Sequence, residues 1–579
     1  MAPSAAPATA DALTAAFPTF SRSQKVFTML GGLLGVLLAA LDQTIVATAG
    51  PAIQADLHIP ASLYPWLTTS YLVASTMMVP IWGKLADLLG RRTVLVSGIL
   101  VFLAGSFLCG VARSTLALIL FRAVQGLGSA ALFTAALAVV ADLFEPRERG
   151  KYQGLFGAVF GLSSVVGPLA GGFITDQLGW HWVFFINLPV GAVALALIFL
   201  RMPKLRPRGV EQRGLDVPGA VALALAVVPL LLALSLGRTG GGPWGWGSWR
   251  VLGLFALAAV GTALFVFVES RAKEPLLDLE LFRMRAFSTG NAAVFVIGAV
   301  FLSGVVFLPL FMVNVVGLSA TASGLTIMPL TLGVVAGNVL SGLLVSRLGR
   351  YKVLMLGSLV LLMVGFTVMG FTLTPESTQA EVTAKMVLVG LGLGPSIPLY
   401  TQAIQNTVTP QRIGVATSAA TFFRQLGMTM GVALLGTVFA ATLSGTLESG
   451  LSRATEGLPE SLRAQVAVAS PGTSAEGGPA GEVFQPREVK ERLRAEFEAE
   501  RLRVEAGPDA TGARARLEAE ERRALESVDR VDLTLKEAFT RGVSAVYRVA
   551  ILIALLALAV TFFLPELPLR RRHDPAPME

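Results

Sequence analysis

The sequence predicts an all-α integral membrane protein of fourteen spans, two six-helix bundles with two helices inserted between them, plus a charged helical hairpin on the outer side. Three observations predict it. Of 579 residues, 54% are hydrophobic and only 15% charged, and the mean hydropathy is +0.68, far outside the range of soluble domains. Fourteen apolar runs have about the length that crosses a bilayer, roughly 20 residues. A charged turn, Gly83-Lys84-Leu85-Ala86-Asp87-Leu88-Leu89-Gly90-Arg91-Arg92, recurs in weaker form as Gly342-Leu343-Leu344-Val345-Ser346-Arg347-Leu348-Gly349-Arg350-Tyr351, 259 positions later. Each copy sits between two apolar runs, so it joins one span directly to the next and marks two halves of one plan.

The runs cover 26–49, 63–83, 93–112, 115–141, 152–175, 181–200, 215–236, 250–269, 286–313, 321–345, 352–373, 383–405, 413–443 and 541–564. Residues 1–25 form a tail rich in Ala, Pro, Ser and Thr, without the basic-then-apolar order of a cleaved signal, and are expected to be disordered. The first bundle then takes 26–200 and the inserted pair with its basic linkers 201–285. Spans nine to thirteen take 286–443, a charged insertion 444–540, the last span 541–565 and a short tail 566–579. A second echo supports the halves: Pro146-Arg147-Glu148-Arg149-Gly150 precedes span five and Pro410-Gln411-Arg412-Ile413-Gly414 precedes span thirteen.

Charge sets the orientation. Loops after even-numbered spans, together with both ends, carry 24 Lys and Arg, whereas the six short loops of the other face hold only Arg113, Arg238, Arg250 and Lys385. Basic loops stay cytoplasmic, so both termini are expected there and 444–540 outside. The lack of sorting signals fits a bacterial plasma membrane. The pI of 9.8 follows from these loops; the basic residues are not interleaved with aromatics on a soluble face, so no nucleic acid is expected as a partner.

The insertion holds 14 basic and 19 acidic residues between 445 and 540. Val489, Leu493 and Phe497, spaced by four, predict a helix over 487–505. After a break at Gly507-Pro508-Asp509, Leu525, Val528, Val531, Leu535 and Phe539 predict a second helix running into the last span. The hairpin is either a solvated cap or a docking surface for an envelope partner.

Chemistry concentrates at few positions. Asp42 lies deep in the first span, where an ionised group facing lipid costs at least about 2.5–3.5 kcal/mol, so it requires a wet cavity or a partner. Arg122, in span four, is the expected partner. In the charged turn, Gly83 and Gly90 permit close approach and reversal, and Asp87 can accept hydrogen bonds from Arg91, Arg92 or a neighbouring helix N-terminus. Such a cluster, with Arg347, Gly349 and Arg350 in the second copy, suits a latch that holds one arrangement of the halves. Gly154, Gly167, Pro168, Gly171 and Gly172 leave little bulk on span five, which suits packing against the other half. Arg424 in span thirteen has no acid in the second-half spans; it attracts anionic headgroups or substrate carboxylates, or bonds to backbone carbonyls. Cys109 stands alone, and His58, His181 and His573 are scattered, so neither disulfide, metal nor cofactor is expected. No serine with a placed histidine and no phosphate-binding loop supports an enzyme or an ATP-driven pump.

These motifs resemble a known family. The 83–92 turn is similar to the signature of the major facilitator superfamily, and Leu41-Asp42-Gln43-Thr44-Ile45-Val46 resembles the first-span signature of its fourteen-span drug:proton antiporters, the EmrB/QacA type. Arg122-Ala123-Val124-Gln125-Gly126 resembles the fourth-span motif. The glycines and Pro168 resemble the fifth-span antiporter motif, with Ser163 where glycine is usual. Gly179-Trp180-His181-Trp182-Val183-Phe184-Phe185-Ile186-Asn187-Leu188-Pro189 matches a further stretch, with histidine where arginine is usual, and Phe422-Phe423-Arg424-Gln425-Leu426-Gly427 matches span thirteen. The resemblance covers the spans but not 445–540. It implies a monomeric proton-coupled antiporter that exports small lipophilic or cationic compounds across the lipid bilayer by rocking of two halves. Asp42 and Arg122 would carry proton coupling, and Asp42, Trp66, Tyr71, Gln125 and Arg424 would line the substrate cavity. One-for-one exchange of a monovalent cation would draw on the pH term alone, about 1.4 kcal/mol per unit. Coupling is thus expected in spans one to six, with substrate shape read largely by the second half. Two other readings remain: export of an endogenous lipid, siderophore or metabolite with the hairpin meeting an envelope partner, and a membrane sensor or scaffold.

Overall fold

The computed structural model describes residues 21–60, 63–203, 214–237, 244–318, 320–409, 412–454, 486–504 and 510–568. Residues 1–20 of the expected N-terminal tail, the break at 507–509 and most of the C-terminal tail lie outside them, whereas 22–25, expected in the disordered tail, form the first turn of a helix capped by Ser21. Among the described residues, fourteen helices are long and apolar enough to cross a membrane. The first bundle comprises α1 (Arg22–Asp56), α2 (Trp66–Leu89), α3 (Arg91–Gly110), α4 (Thr115–Leu143), α5 (Pro146–Leu178) and α6 (Asn187–Arg201), the last preceded by a single turn, Trp182–Phe185. The inserted pair is α7 (Val217–Leu236) and α8 (Trp249–Glu269). Then follow α9 (Arg285–Asn314), α10 (Ala320–Leu348), α11 (Lys352–Thr372), α12 in two pieces (Gln379–Leu393 and Ser396–Asn406), α13 (Ile413–Ala454), α14 (Pro486–Val504) and α15 (Ala510–Phe562).

Local chemistry sets the ends of these helices. Ser21 caps α1 through its hydroxyl, which accepts from Gln24 N, while the Gln24 side chain accepts from Ser21 N in return. Between α2 and α3 a single residue reverses the chain: Gly90 at φ +90°, a region closed to most side chains. Gly349 at φ +68° does the same in the second half. α12 breaks at Gly394-Pro395, where proline cannot donate to the helix and Gly394 lies against the Val334 carbonyl of α10 at a distance a side chain would not allow.

In lipid the apolar effect does not distinguish helix from tail, so small residues that let backbones approach determine which helices pair. α5 packs on α1 within the first bundle and along α10 across the seam; α2 packs on α13 across the other seam. α7 and α8 pair with each other, and α7 rests on both α2 and α13. The inserted helices thus sit astride one seam.

The hairpin extends two spans. α13 continues to Ala454 and α15 passes residue 540 without interruption, so the expected borders at 443/444 and 540/541 fall inside continuous helices. A count of apolar residues finds where lipid ends, not where a helix ends. α14 lies on α15 through the expected stripe, with Val489, Leu493 and Phe497 against Leu525, Val528, Val531 and Leu535. The ion pairs Lys490–Asp529 (2.5 Å) and Arg501–Glu521 (2.7 Å) flank it. Leu493 is buried at the centre of this small core. Leu493→Ala is therefore expected to cost about 2–5 kcal/mol of local stability and to expose α14 to limited proteolysis while the membrane bundle stays resistant; unchanged cleavage would refute the packing.

Candidate functional site

The first charged centre is built on Asp42 in α1. Its Oδ2 accepts from Arg122 Nη1 at 2.6 Å, and its Oδ1 accepts from Gln125 Nε2 at 2.7 Å and Asn187 Nδ2 at 3.0 Å. Arg122 and Gln125 share one face of α4 because they are three residues apart. Arg122 is held in turn: Nε donates to the Leu67 carbonyl at 3.1 Å, Nη1 also donates to Gln125 Oε1 at 2.8 Å, and the guanidinium lies 4.4 Å from the Tyr71 ring centre. Asn187 Nδ2 additionally donates to Ser106, whose hydroxyl donates to the Phe184 carbonyl. Asp42, Arg122, Gln125, Asn187, Ser106 and Tyr71 are all buried at 1% exposure or less.

This geometry corrects one expectation. Asp42, Tyr71 and Gln125 do not line an open cavity, because a buried carboxylate–guanidinium pair persists only when the remaining lone pairs and protons are satisfied, and these side chains close around it to do so. Trp66 opens α2 at the end remote from Asp87 and is partly exposed, one residue before the Leu67 carbonyl that Arg122 uses. Arg424 is partly exposed, and among the described residues nothing bonds to its guanidinium, neither a backbone carbonyl nor an acid.

The second centre is the 83–92 turn. Asp87 accepts from Arg91 Nη1 at 2.5 Å, and across the seam from Gly414 N at 3.1 Å and Val415 N at 2.9 Å. The first amides of α13 have no partner within their own helix and carry the positive end of its dipole, so the carboxylate caps them. Contact is this close because Gly414 has no side chain: a methyl group there would strike the Asp87 carboxylate. Gly83 likewise admits Ser418 and the Gly414 carbonyl. Arg91, fully buried, also donates through Nε to Asp142 at 2.9 Å. Arg92 takes no part. It lies over the Phe199 ring and donates to the Phe199 carbonyl.

The second copy meets α5 where the first meets α13, since a methyl at Gly342 would lie 2.6 Å from the Gly150 carbonyl. Among the described residues no carboxylate of the second copy reaches α5. Ser346, in the place of Asp87, donates to its own Leu343 carbonyl, and Arg347 and Arg350 are exposed. The expectation that these two arginines join the latch is therefore corrected: without a carboxylate to collect them, they point to solvent. Two further ties cross the same end of the molecule. Gln153 Nε2 of α5 donates to Gln405 Oε1 of α12 at 3.1 Å, and Lys84 pairs with Glu274, in the segment after α8, at 2.7 Å. That segment is pinned to the second half by Asp278 and Arg412 at 2.5 Å.

The span-five glycines divide between two neighbours. Gly154 lies against the Asn338 carbonyl of α10, whereas Gly167 lies against Thr44 and Gly171 against Ile45 of α1; Gly172 faces open space. Only the first therefore packs on the other half as expected. Pro168 sits in the α1-facing stretch of α5, and beside it the Thr44 hydroxyl donates to the Ser163 carbonyl at 3.0 Å.

The Major Facilitator Superfamily family model matches residues 32–432. The chain belongs to this superfamily. It is 41% identical over 441 residues to multidrug transporter protein MdtP of Bacillus subtilis, an alignment covering 76% of this chain and 80% of that protein. Multidrug resistance protein 3 of the same organism is 39% identical over 75% of this chain and 83% of its own. The tetracenomycin C resistance and export protein of Streptomyces glaucescens is 34% identical, over 72% and 76% respectively. Among solved structures, the human organic anion transporter MFSD10 superposes with a TM-score of 0.53 at 17% identity, covering 72% of this chain and 94% of that one. The proton:xylose symporter XylE gives 0.53 at 14%, covering 74% and 91%. These two likenesses show the fold alone.

Within this superfamily member, sequence reasoning did not single out Asn187, Ser106, Asp142 or the α13 amides. Asn187 and Asp142 did carry a signal, as polar side chains at or near membrane depth. The amides of Gly414 and Val415 carried none.

Proposed function

We propose that the chain is a proton-coupled antiporter that exports amphipathic, drug-like compounds by alternating access, with its basic-loop end in the cytoplasm. The observation that carries this reading is the buried Asp42 centre in one half combined with a seam clasped at one end only by breakable polar contacts. The names of the relatives supply the substrate class, and the charge of the loops supplies the orientation.

In this arrangement the basic-loop end is shut. Opening it requires Asp87 to release Gly414 N and Val415 N, Gln153 to leave Gln405, and Lys84 to leave Glu274. Asp42 is sealed from solvent, so its proton exchanges in a different arrangement of the helices around it. When Asp42 is protonated its ionic attraction to Arg122 is gone, and α1 is free to shift against α4. Two residues along α1, Thr44 bonds to Ser163, and α5 continues to Gly154 and Asn338 at the seam. Protonation of Asp42 thereby biases how α5 meets α10, with the two states as discrete packings of the same helices.

Purified protein in proteoliposomes tests this. Ethidium efflux driven by an imposed pH gradient is expected to rise severalfold over the ungraded rate and to collapse with nigericin, accompanied by counter-movement of protons. Facilitated flux that ignores the gradient would exclude antiport, and absence of flux for every amphipathic dye tried would exclude drug export.

A further inference from the structure

Among the described residues, the buried charges Asp42, Asp87, Arg91 and Arg122 of the first half are matched. Asp42 faces Arg122, and Arg91 faces Asp87 and Asp142. In the second half, Arg548 of α15 donates to the Gly370 carbonyl at 2.9 Å and lies over the Phe371 ring. Arg424 is different. Between residues 286 and 443 the only acids are Glu376 and Glu381, at and before the start of α12 on the opposite loop face, and Glu381 is bonded to Lys385. Among the described residues no group compensates the Arg424 guanidinium.

Its place in the helix says what it faces. Arg424 follows Thr417 by seven residues, so the two share one stripe of α13, with Arg424 about 10.5 Å farther along the axis. Thr417 belongs to the plug of the shut end: its hydroxyl accepts from Gln405 Nε2 at 2.8 Å, and Gln405 in turn accepts from Gln153 of the other half. Gln153, Gln405 and Thr417 are all buried. Two turns beyond them on the same stripe stands Arg424, half-buried, its backbone packed against Gly298 of α9. Arg424 thus stands two turns beyond the closed plug, on the stripe of α13 that carries Thr417.

We infer that the unpartnered Arg424 guanidinium is an anion-binding subsite on the route between the halves and that the exported compounds include amphipathic weak acids, a lipophilic body bearing a carboxylate or ionised phenol that pairs with Arg424. This rests on the export reading and redirects its substrate class. Asp42, which would have drawn cations, is sealed and neutralised by Arg122, whereas the charge left without a partner among the described residues is positive. A planar guanidinium holds a carboxylate through two parallel N–H donors, geometry that a lysine cannot reproduce.

The test compares two probes of one shape, anthracene-9-carboxylate and its neutral amide, binding to purified full-length protein, with ethidium flux as a third readout. Wild type is expected to bind the carboxylate at least ~10-fold more tightly than the amide, and Arg424→Gln to remove that preference while changing amide binding less than about twofold. Arg424→Lys is expected to keep part of the preference and carries the test if the Gln variant does not fold. Equal affinity for acid and amide in wild type, or equal weakening of both in Arg424→Gln, overturns the inference. If the acid fails to bind while ethidium is exported against the gradient, the subsite falls and the export reading stands. If the acid binds through Arg424 but neither probe is moved, the subsite stands and the export reading falls.

Discussion

Asp42→Asn is expected to abolish gradient-driven transport and, on its own, to destabilise the first bundle by about 3–5 kcal/mol, because it leaves the buried Arg122 charge without its counter-ion. Asparagine cannot substitute for the carboxylate in this pocket. Three donors converge on Asp42, from Arg122, Gln125 and Asn187, and an amide offers one oxygen and turns two N–H groups toward the rest. The double variant Asp42→Asn/Arg122→Gln removes both charges, so most of the lost stability returns. Gradient-driven flux does not return, because no group at the centre then binds a proton. Thermal unfolding followed by size-exclusion chromatography reads the first effect, and proteoliposome flux with and without a pH gradient reads the second. A double variant whose flux is stimulated by the gradient as in wild type would end the coupling role of Asp42. A single variant as stable as wild type would mean that Arg122 finds another partner.

The pairing behind this prediction was legible because the bilayer makes isolated charge so unfavourable that Asp42 and Arg122, mid-span in the same half, demanded one another. The fourteen spans were legible for the same reason, since lipid forces long apolar runs. Of the centre's neutral members, Tyr71 and Gln125 were legible as site residues, but Asn187 and Ser106 were not. Ser and Thr hydroxyls in spans commonly bond to their own helix, as Thr367 does to the Met363 carbonyl, so Ser106 gave no sign of being a shared partner. Asp142 stands at the end of an apolar run, where an acid reads as ordinary interface; only the fold brings it to Arg91. The repeated turn displayed its asymmetry in sequence, Asp87 against Ser346, and the structure turns that into a carboxylate clasp on the α13 amides at α2–α13, while Ser346 at α5–α10 bonds only within its own helix. Which of three listeners Asp87 would choose depended on α13 arriving across the seam, a tertiary fact. That Asp42 is buried and paired while Arg424 is left without a partner among the described residues also comes only from packing.

Asp87→Asn is expected to loosen the shut end without disturbing insertion. Arg91 keeps Asp142, so no buried charge is left unmatched, but the clasp on Gly414 N and Val415 N loses its negative charge and one of its two acceptor oxygens. A hydrogen bond to a charged group contributes about 1.5–3 kcal/mol, so weakening one of the two shifts the balance toward the open arrangement by roughly tenfold or more. Ser418, against Gly83 in the seam and buried, supplies the reporter. In a background with Cys109→Ala, Ser418→Cys is expected to react slowly with a maleimide and at least ~10-fold faster when Asp87→Asn is added, with gradient-driven transport falling by a comparable factor. Gly414→Ala moves both readouts the same way by a different route, since its methyl displaces the Asp87 carboxylate. Arg350→Gln on the second copy leaves both unchanged, because that arginine is exposed and Ser346 holds no α5 amide. Labelling and transport unaltered by Asp87→Asn would reduce the turn to a topological marker. Parallel effects of Asp87→Asn and Arg350→Gln would show that the two seams share the work, contrary to a latch resting on the Asp87 clasp between α2 and α13.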